Sequence, residues 1–495
     1  MAQNDSIMSD STPPPPSLFQ SILPILTLVG LLGGSVWLFA DDSSYGPNQI
    51  ALILSGMVAA IIGMRNGWRW ADLQEGMVHG VSLSMGAIFI LLVVGALIGT
   101  WILSGIVPTL IYYGLQILNP SIFFAASLII CAVVSLATGS SWTTVSTMGV
   151  ALIGVAAVMD ISLPMTAGAI ISGAYFGDKL SPLSDTTNLA PAMAGADLFA
   201  HIRHMLWTTI PSFIVALVLF GLLGISLKSG VTPEKLTQMQ EVLKQEFVIG
   251  PHLLLIPAVI FYLIARKTPA FPALLIGALA GSVAAVIFQP AAVLKYVGAE
   301  GLSNGAALLK GAWQALFAGF KLESSNESLN ELLTRGGMAS MLNTCWLVIS
   351  AMIFGSVMEK TGKLRVLATA ILRSARSDGS LVAATIGASV GTNIVTADQY
   401  MAIVLPGRMF REAYAARGLQ PKNLSRALED AGTLTSPLVP WNTCGAFMAG
   451  ALGVSTIAYL PFCFLNLLNP LLSIAYGYTG FTMEKIKSET ETPPN

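Results

Sequence analysis

Long runs of apolar residues recur along most of the chain, separated by short polar stretches. Most of the runs approach the roughly 20 residues that a helix needs to cross the hydrocarbon core of a bilayer. Their apolarity is continuous rather than alternating at every second residue, which indicates membrane helices and not the strands of a β-barrel. The pattern predicts an all-α polytopic membrane protein with about 11 to 13 membrane segments. The clearest runs cover residues 18–40, 49–64, 81–103, 121–137, 205–227, 270–288 and 338–358.

Four polar stretches interrupt this apolar pattern. Pro182, Pro437 and Pro440 lie in two of them, and a proline frees backbone groups that lipid cannot satisfy. Irregular backbone is tolerated at membrane depth only where protein buries it or water wets it. We therefore expect discontinuous helices. Residues 380–407 are expected to form a re-entrant helical hairpin with its break near the polar GTN element (391–393), because the loops on both of its sides are basic and would both be cytoplasmic. The four stretches are residues 138–144, 177–188, 391–398 and 429–443.

The chain contains an internal repeat. Residues 181–196 (SPLSDTTNLAPAMAGA) align without a gap with residues 436–451 (SPLVPWNTCGAFMAGA), and seven of the sixteen pairs are identical. Upstream, TGSSWTT from Thr138 matches VGTNIVT from Val390. The matches predict two homologous halves, residues 70–228 and 327–480. The remaining segments are predicted to be a disordered N-terminal tail (1–17), N-terminal membrane helices (18–69), a connector with two membrane helices (229–326) and a C-terminal tail (481–495).

Basic residues orient the two halves relative to the membrane. Cytoplasmic loops are enriched in Lys and Arg, and two second-half loops, residues 359–379 and 408–426, hold five basic residues each. The matching first-half loops, residues 104–120 and 159–168, hold none. We predict that the N-terminus and both basic loops are cytoplasmic. The two halves would then form inverted repeats, an arrangement that many secondary transporters use.

Composition supports a membrane protein and argues against several other classes. Of the 495 residues, 54% are hydrophobic and only 10% are charged, and the net charge of -1 gives no reason to expect a nucleic acid partner. The four cysteines lie apart, without the spacing of a disulfide framework or a zinc site. The chain contains no P-loop and no HExxH motif, and GASVG at residues 387–391 lacks the strand and turn of a nucleophile elbow. We predict neither enzymatic activity nor a cofactor.

The polar stretches offer mainly oxygen ligands, which suit a hard cation such as Na+. Carboxylates at membrane depth are costly and indicate function. A desolvated carboxylate binds a proton more tightly, so that H+ and Na+ compete for the same oxygen atoms. We predict that Asp178 and Asp185 are shared ligands of Na+ and H+. The other predicted ion or proton ligands are Ser140, Ser141, Thr186, Thr187, Asn188, Thr392, Asn393, Asp398, Thr435, Ser436, Asn442 and Thr443.

Structural roles compete with these predictions. Asp178 could form an ion pair with its neighbour Lys179, and Asp185 could cap the helix that follows the break. Asp398 follows the GTN element but could contact Arg408. Each Ser, Thr or Asn could also serve only to link membrane helices by hydrogen bonds.

Two further carboxylates stand next to each other at Glu429 and Asp430. They lie close in sequence to the basic loop 408–426, so they could be interfacial rather than buried. They are further candidates for ion or proton binding.

Three long motifs resemble those of the NhaC-type sodium/proton antiporters. They are GAYFGDKLSPLSDTTNLAP (173–191), GTNIVTADQYMAIVLPGRMF (391–410) and LEDAGTLTSPLVPWNTCGA (428–446), within a similarity that extends from about residue 20 to residue 480. The resemblance implies sodium-coupled antiport driven by the proton gradient across a prokaryotic cell membrane. It also implies a scaffold domain and a moving transport domain, often in a homodimer.

The same family includes members similar to sodium-coupled malate/lactate antiporters. An organic acid would need a fixed cation or helix N-termini at its site. Lys179 is the only basic residue in the first-half motif, and it is therefore the residue to test. A pair between Lys179 and Asp178 would favour a bare cation exchanger.

The sequence as a whole predicts a Na+/H+ antiporter that works by alternating access in the cell membrane. The transported ions and the lipid bilayer are its expected partners, with a homodimer as a further possibility. An antiporter of malate or lactate coupled to Na+ and H+ is the alternative within transport. A passive ion channel, in which the helix breaks form a selectivity filter, is the alternative from another class.

Overall fold

The computed structural model describes residues 13–39, 43, 45–226, 233–298, 301–324 and 326–486. These residues form helices and connecting loops, with two isolated β-bridges, Phe320 with Arg335 and Leu419 with Lys485. The predicted all-α polytopic fold is thereby confirmed. Most of the predicted N-terminal tail and the end of the C-terminal tail lie outside the described residues.

The N-terminal part and the first half contain ten α-helices. A π-helical turn, Val145–Gly149, joins α6 to α7, so that residues 141–158 form one helical segment. The helices are α1 Leu18–Phe39, α2 Pro47–Arg65, α3 Trp70–Leu103, α4 Ile106–Ile117, α5 Phe123–Thr138, α6 Ser141–Thr144, α7 Val150–Val158, α8 Leu163–Leu180, α9 Asp185–Ala194 and α10 Leu198–Ser226.

The connector and the second half contain the remaining fourteen α-helices of the described residues. A second π-helical turn, Glu429–Thr433, follows α21 directly. The helices are α11 Pro233–Glu246, α12 Leu255–Ala265, α13 Ala270–Phe288, α14 Pro290–Val297, α15 Asn304–Ala318, α16 Glu327–Leu333, α17 Leu342–Lys360, α18 Lys363–Arg373, α19 Asp378–Thr396, α20 Gln399–Ala416, α21 Pro421–Leu428, α22 Thr443–Leu452, α23 Thr456–Tyr459 and α24 Phe464–Thr479.

The same order of elements occurs in both halves. A long helix ends before a glycine in the left-handed region, Gly105 (φ 78°) or Gly362 (φ 73°), and a short helix follows. Further on, a helix of ten residues ends at another left-handed glycine, Gly195 (φ 80°) or Gly453 (φ 70°). Because a side chain strains this backbone conformation, glycine is favoured at all four positions. The order agrees with the internal repeat, while the opposite orientation of the halves stays a prediction.

Nine helices of the described residues are long and apolar enough to cross a membrane, and the number rises to eleven if two sharply bent helix pairs count as one span each. Eleven lies at the lower edge of the predicted range. The segment Ser141–Val158 is one of the nine, although no apolar run predicted it. Its Ser and Thr residues lower its apolarity, and 83% of its residues are buried against protein.

The predicted hairpin is present, with longer helices than expected. α19 and α20 are joined only by Ala397, which is in the left-handed region (φ 56°), and Asp398. The break was expected near the middle of residues 380–407, at the GTN element, but GTN lies within the last two turns of α19. Each helix is nearly 30 Å long at about 1.5 Å per residue. Re-entry into the membrane therefore stays a prediction.

The loops that were predicted to be cytoplasmic lie close to one another. Arg417 Nη1 is 3.3 Å from Asp378 Oδ1, which links the loops 408–426 and 359–379. Lys360 reaches Glu75 over 3.5 Å on the same side of α3 and α17. These contacts agree with a shared side for the two loops, and which side of the membrane they face stays a prediction.

Helices α5 and α8 pack at very short range through glycine. A Cβ atom at Gly173 would lie 2.2 Å from Leu128 O, and one at Gly177 would lie 2.3 Å from Leu136 N. Both obstacles are backbone atoms, which cannot rotate away. The close approach holds together the two helices that carry the first-half breaks.

Gly173→Ala is expected to lower the stability of the folded protein by about 1 to 3 kcal/mol, because the helices must separate to admit the methyl group. Gly30→Ala in α1 is the control, since nothing lies within 4 Å of the place that its Cβ atom would occupy. That change should be neutral or stabilising, as Ala favours helix over Gly by up to about 1 kcal/mol. Thermal unfolding of the purified proteins measures both. Equal melting temperatures for the two variants would contradict the close packing.

Candidate ion-binding site

Asp178 lies where two helix breaks of the first half meet. It belongs to the last turn of α8, and Ser141 starts α6 directly after the break that ends α5. Asp178 Oδ2 accepts hydrogen bonds from the Ser141 backbone N–H (3.0 Å) and from Ser141 Oγ (2.6 Å). Hydrogen bonds to a carboxylate oxygen are among the stronger ones and fix its orientation. Both bonds fall on Oδ2, and the Ser184 side chain also lies beside the carboxylate.

Hydroxyl groups hold the break between α8 and α9. Ser184 caps α9, with its Oγ accepting from the Thr187 N–H (3.5 Å) and lying 3.2 Å from Thr186 Oγ1. Thr187 Oγ1 lies 3.2 Å from the carbonyl oxygen of Asp178 and 3.0 Å from that of Lys179. The donation to Lys179 satisfies a carbonyl at the end of α8, and the other adds to the bond that the Asp178 carbonyl accepts from the Ser181 N–H (3.2 Å). Thr187 therefore stabilises the backbone next to Asp178.

Asp185 and Asn188, both predicted ligands, are exposed in the first turn of α9. Asn188 Nδ2 donates to the carbonyls of Pro182 (2.9 Å) and Ser184 (2.6 Å). The negative charge of Asp185 acts on the carboxyl group of Asp178. The structure thus places Asp178 inside the hydrogen-bonded break and Asp185 at its exposed edge.

A second polar network occupies the breaks of the other half. Asn393 Nδ2 donates to Gly432 O (2.7 Å) and to Thr435 Oγ1 (3.0 Å). Asn442 Nδ2 donates to the backbone oxygen (3.2 Å) and the side-chain oxygen (3.1 Å) of Asn393. Asn393 and Asn442 are fully buried. Three predicted ligands, Asn393, Thr435 and Asn442, are therefore brought together.

Other predicted ligands bond to the backbone of their own region. Thr392 Oγ1 donates to Ala388 O (2.8 Å), and Ser436 Oγ donates to Thr433 O (2.7 Å). The backbone N–H of Thr443 donates to Ala397 O (2.9 Å) and so joins α22 to the α19–α20 break.

Each break is followed by a helix whose first residue is capped by a polar side chain. Ser140 Oγ accepts from the Thr143 N–H, and Ser184, Asp398 and Asn442 cap α9, α20 and α22 in the same way. Such side chains satisfy backbone donors that a new helix leaves free. Asp398 accepts from the Met401 N–H at 2.8 Å, and among the described residues it forms no ion pair with Arg408. Much of the polarity of the breaks therefore serves capping.

Lys179 forms a buried ion pair with Asp430 of the second half, and not with Asp178. The alternative of an ion pair between Lys179 and Asp178 is therefore wrong. The Lys179 side chain leaves α8 on the side that faces the π-helical turn. Thr208 Oγ1 (3.2 Å) and Asn469 Nδ2 (2.9 Å) also donate to Asp430 Oδ1. The pair and its hydrogen bonds connect α8, α10 and α24 to the π-helical turn.

Glu429 and Asp430 are fully buried, which corrects the suggestion that they are interfacial. They form the start of the π-helical turn that continues into the polar network of Asn393 and Thr435. Glu429 is the chain neighbour of Asp430 and Asp178 is the chain neighbour of Lys179, so the ion pair holds the two segments together. The carboxylates of the two halves therefore occupy one region.

Aromatic packing also joins the two broken regions. The rings of Trp142, in α6, and Phe447, in α22, are stacked with centroids 4.1 Å apart and an angle of 14° between their planes. Both residues lie in the first turns after a break. The stack therefore fixes one restarted helix against the other.

Sequence reasoning missed the buried partners that come from distant segments. Thr208, Asn469 and the Lys179–Asp430 pair were not predicted, and 251 positions separate the two ions of the pair. One available signal was the pair of adjacent carboxylates, Glu429 and Asp430, inside the polar stretch 429–443.

Discontinuous helices that carry buried carboxylates, hydroxyls and amides define a polytopic membrane protein of the secondary-transporter class. The model of the Na+/H+ antiporter family matches residues 173–481. The chain belongs to this family, and the resemblance seen in its motifs is confirmed.

Curated relatives are similar to the chain over nearly its whole length. The Na+/H+ antiporter NhaC of Alkalihalophilus pseudofirmus is 41% identical over 89% of this chain and 92% of that protein. The malate-2H+/Na+-lactate antiporter of Bacillus subtilis is 40% identical over 96% of this chain and 97% of that protein. The Na+/H+ antiporter NhaC of Bacillus subtilis is 38% identical over 87% of this chain and 92% of that protein.

Proposed function

We propose that the protein exchanges Na+ for H+ by alternating access, with Asp178 as the carboxylate for which the two ions compete. The observation that carries this proposal is the geometry of Asp178, whose Oδ2 is held by both donors of Ser141 at the meeting point of two helix breaks. A carboxylate oriented in this way offers its second oxygen to Na+ or to a proton. Occupation by one ion then excludes the other.

Further oxygen atoms for the ion come from the surrounding breaks. Na+ prefers several oxygen ligands, and the hydroxyls of Ser140, Thr186 and Thr187 lie on the segments next to Asp178. In the proposed mechanism, the network of Asn393 and Asn442 supports the second half of the site near the membrane midplane. Movement of these broken helices relative to the rest of the protein would expose the ion to either side.

The ion pair of Lys179 favours a bare cation as the substrate. An organic acid would need a fixed positive charge at the site. Lys179 is fully buried, and Asp430 already matches its charge. Nevertheless, one relative is named a malate-2H+/Na+-lactate antiporter. An organic acid antiporter is therefore kept as the second candidate function.

We place the protein in the cell membrane as a multi-pass protein, with the loops 359–379 and 408–426 on the cytoplasmic side. Its outward-facing helices present apolar side chains such as Phe19 and Trp37 to the surroundings, with exposed fractions of 70% and 83%. These side chains suit contact with lipid. A homodimer is an expectation drawn from the family resemblance.

Inverted membrane vesicles from cells without other Na+/H+ antiporters provide the test of function. A pH gradient is imposed, and Na+ is added alone or together with malate and lactate. We expect Na+ alone to dissipate the gradient. A strict requirement for an organic acid would support the second candidate, and Na+ conductance without proton counter-transport would support a channel.

Ser141→Ala is expected to raise the Na+ concentration for half-maximal exchange by about tenfold. The change removes the Oγ donor to Asp178 and keeps the backbone donor, and a hydrogen bond to a charged group contributes about 1.5 to 3 kcal/mol. The matched control is Ser226→Ala, whose hydroxyl bonds only to Leu223 O at the exposed end of α10. Vesicle assays over a range of Na+ concentrations measure both. An unchanged half-maximal concentration in Ser141→Ala would contradict the role of this bond.

A further inference from the structure

Glu429 is a fully buried carboxyl group that the exchange at Asp178 does not use. It begins the π-helical turn Glu429–Thr433, directly after α21. Single π-helical turns inside a helix are rare and are frequent at functional sites. The turn lies between two parts of the candidate site, the Lys179–Asp430 pair and the network around Asn393.

Neither carboxyl oxygen of Glu429 has a hydrogen-bond partner among the described residues. Thr186 and Thr433 lie beside the carboxyl group, and the Thr433 hydroxyl also has no partner in the described part of the chain. Buried polar groups in proteins are almost always hydrogen-bonded. The hydroxyls of Thr186 and Thr433 therefore approach the carboxyl group without completing a hydrogen bond of normal geometry, and no ion pair reaches it among the described residues.

The charged groups around Glu429 leave its charge uncompensated. From α8, Lys179 and Asp178 face it, and Lys179 is already paired with Asp430. One turn earlier in α21, Arg426 points towards the C-terminal segment, where its Nη1 donates to Thr482 Oγ1 over 2.7 Å. When Asp178 is also ionised, the region carries an excess of negative charge.

An ionised carboxylate cannot remain buried without a partner, because the loss of hydration is too costly. Glu429 must therefore carry a proton or contact a cation. We propose that Glu429 is a second exchange site, which holds a transported proton in the absence of Na+ and releases it when Na+ binds nearby.

This inference rests on the proposed Na+/H+ exchange and extends it to a second group. In the Na+-free state, the proton bound to a Glu429 oxygen keeps the buried group neutral. When Na+ enters the region between Asp178 and Glu429, the positive charge stabilises the carboxylate, and the proton leaves to water on the open side. Return of the proton on the other side expels Na+. The Lys179–Asp430 pair stays neutral throughout and does not exchange.

The test counts the protons that the full-length purified protein releases when Na+ binds. A pH-indicator dye follows the release in weakly buffered detergent solution after addition of NaCl, with choline chloride as the reference, at a series of pH values. Glu429→Gln keeps the shape of the side chain but cannot release a proton. We expect this variant to release about one proton fewer per protein than the unmodified chain, since one titrating group of the pair is gone.

Glu412→Gln is the matched control. It makes the same chemical change at an exposed position of α20, and we expect it to release as many protons as the unmodified chain. Equal release from Glu429→Gln and the unmodified chain would overturn the inference for Glu429 and leave exchange at Asp178 intact. Absence of release from the unmodified chain would instead contradict the proposed function itself.

A second measurement covers the case in which Glu429→Gln does not fold. Infrared difference spectra with and without Na+ are recorded for the unmodified chain and for Glu429→Asp, which retains a carboxyl group. We expect Na+ to remove a protonated-carboxyl band, and we expect this band to shift in frequency in Glu429→Asp. A band that is identical in the two proteins would assign the proton to another residue and overturn the inference.

Discussion

Asp178→Asn is expected to abolish the Na+-dependent dissipation of a pH gradient while the protein remains folded in the membrane. Asparagine keeps the size of the side chain and an oxygen that can accept from Ser141, whose donors lie 3.0 Å and 2.6 Å from Asp178 Oδ2. It carries no charge to bind Na+ and takes up no proton. The loss of Na+ affinity should be at least about a hundredfold, equivalent to about 2.8 kcal/mol.

The control for this variant is Asp160→Asn. Asp160 is exposed and lies in the left-handed region (φ 52°), which asparagine adopts readily. It should therefore exchange ions like the unmodified chain. Asp185→Asn is the contrasting variant. The sequence predicted Asp185 as an equal ligand, but the structure exposes it, so this variant should lose less exchange than Asp178→Asn. Normal exchange by Asp178→Asn would remove the proposed site.

Lys179→Met is expected to destabilise the folded protein by about 3 to 5 kcal/mol, because it leaves Asp430 buried without a cation. Thr208 and Asn469 would remain as donors to Asp430 Oδ1, but neither carries a charge. Thermal unfolding in detergent measures the loss as a lower melting temperature. The structural role predicts this loss whether or not Na+ is present.

The double variant Lys179→Met with Asp430→Asn tests whether the loss comes from the unpaired charge. It removes both charges and keeps a polar side chain next to Asn469. We expect it to be more stable than Lys179→Met alone, so that the two changes are not additive. If the double variant loses as much stability as the sum of the single variants, the ion pair does not explain the effect of Lys179.

The positions of the helix breaks could be predicted from the sequence. All four predicted polar stretches contain one, although prolines elsewhere, such as Pro211 in α10 and Pro406 in α20, lie inside continuous helices. The error lay within the stretch 391–398, where the chain turns at Ala397 and not at the GTN element. Left-handed alanine is uncommon, so nothing in the sequence favoured that position over Gly391.

The division of the polar residues between ligands and caps could not be predicted. Ser140 and Ser141 are neighbours of the same type, yet Ser140 caps α6 and Ser141 donates to Asp178. Both roles need a hydroxyl next to a break, so the composition of the stretch is the same for either. Only the direction of each side chain separates them, and that depends on the packing of α5 against α8.

The partners of the buried charges could not be predicted either. Lys179 was considered with its sequence neighbour Asp178, but adjacent residues of a helix point in directions about 100° apart. Its true partner, Asp430, comes from the other half of the chain. Glu429 and Asp430 were judged by their closeness to basic residues in the sequence. Their burial follows from the packing of α21 and the π-helical turn against α9, α10 and α20.

Equilibrium binding of Na+ to the purified protein at a series of pH values tests the central claim most directly. Protons occupy the carboxylate at low pH, so Na+ should bind more weakly as the pH falls. The dissociation constant should rise by about tenfold for each pH unit over the range in which one bound proton is displaced. A dissociation constant that does not change with pH, or that is the same in Asp178→Asn, would contradict competition of Na+ and H+ at Asp178.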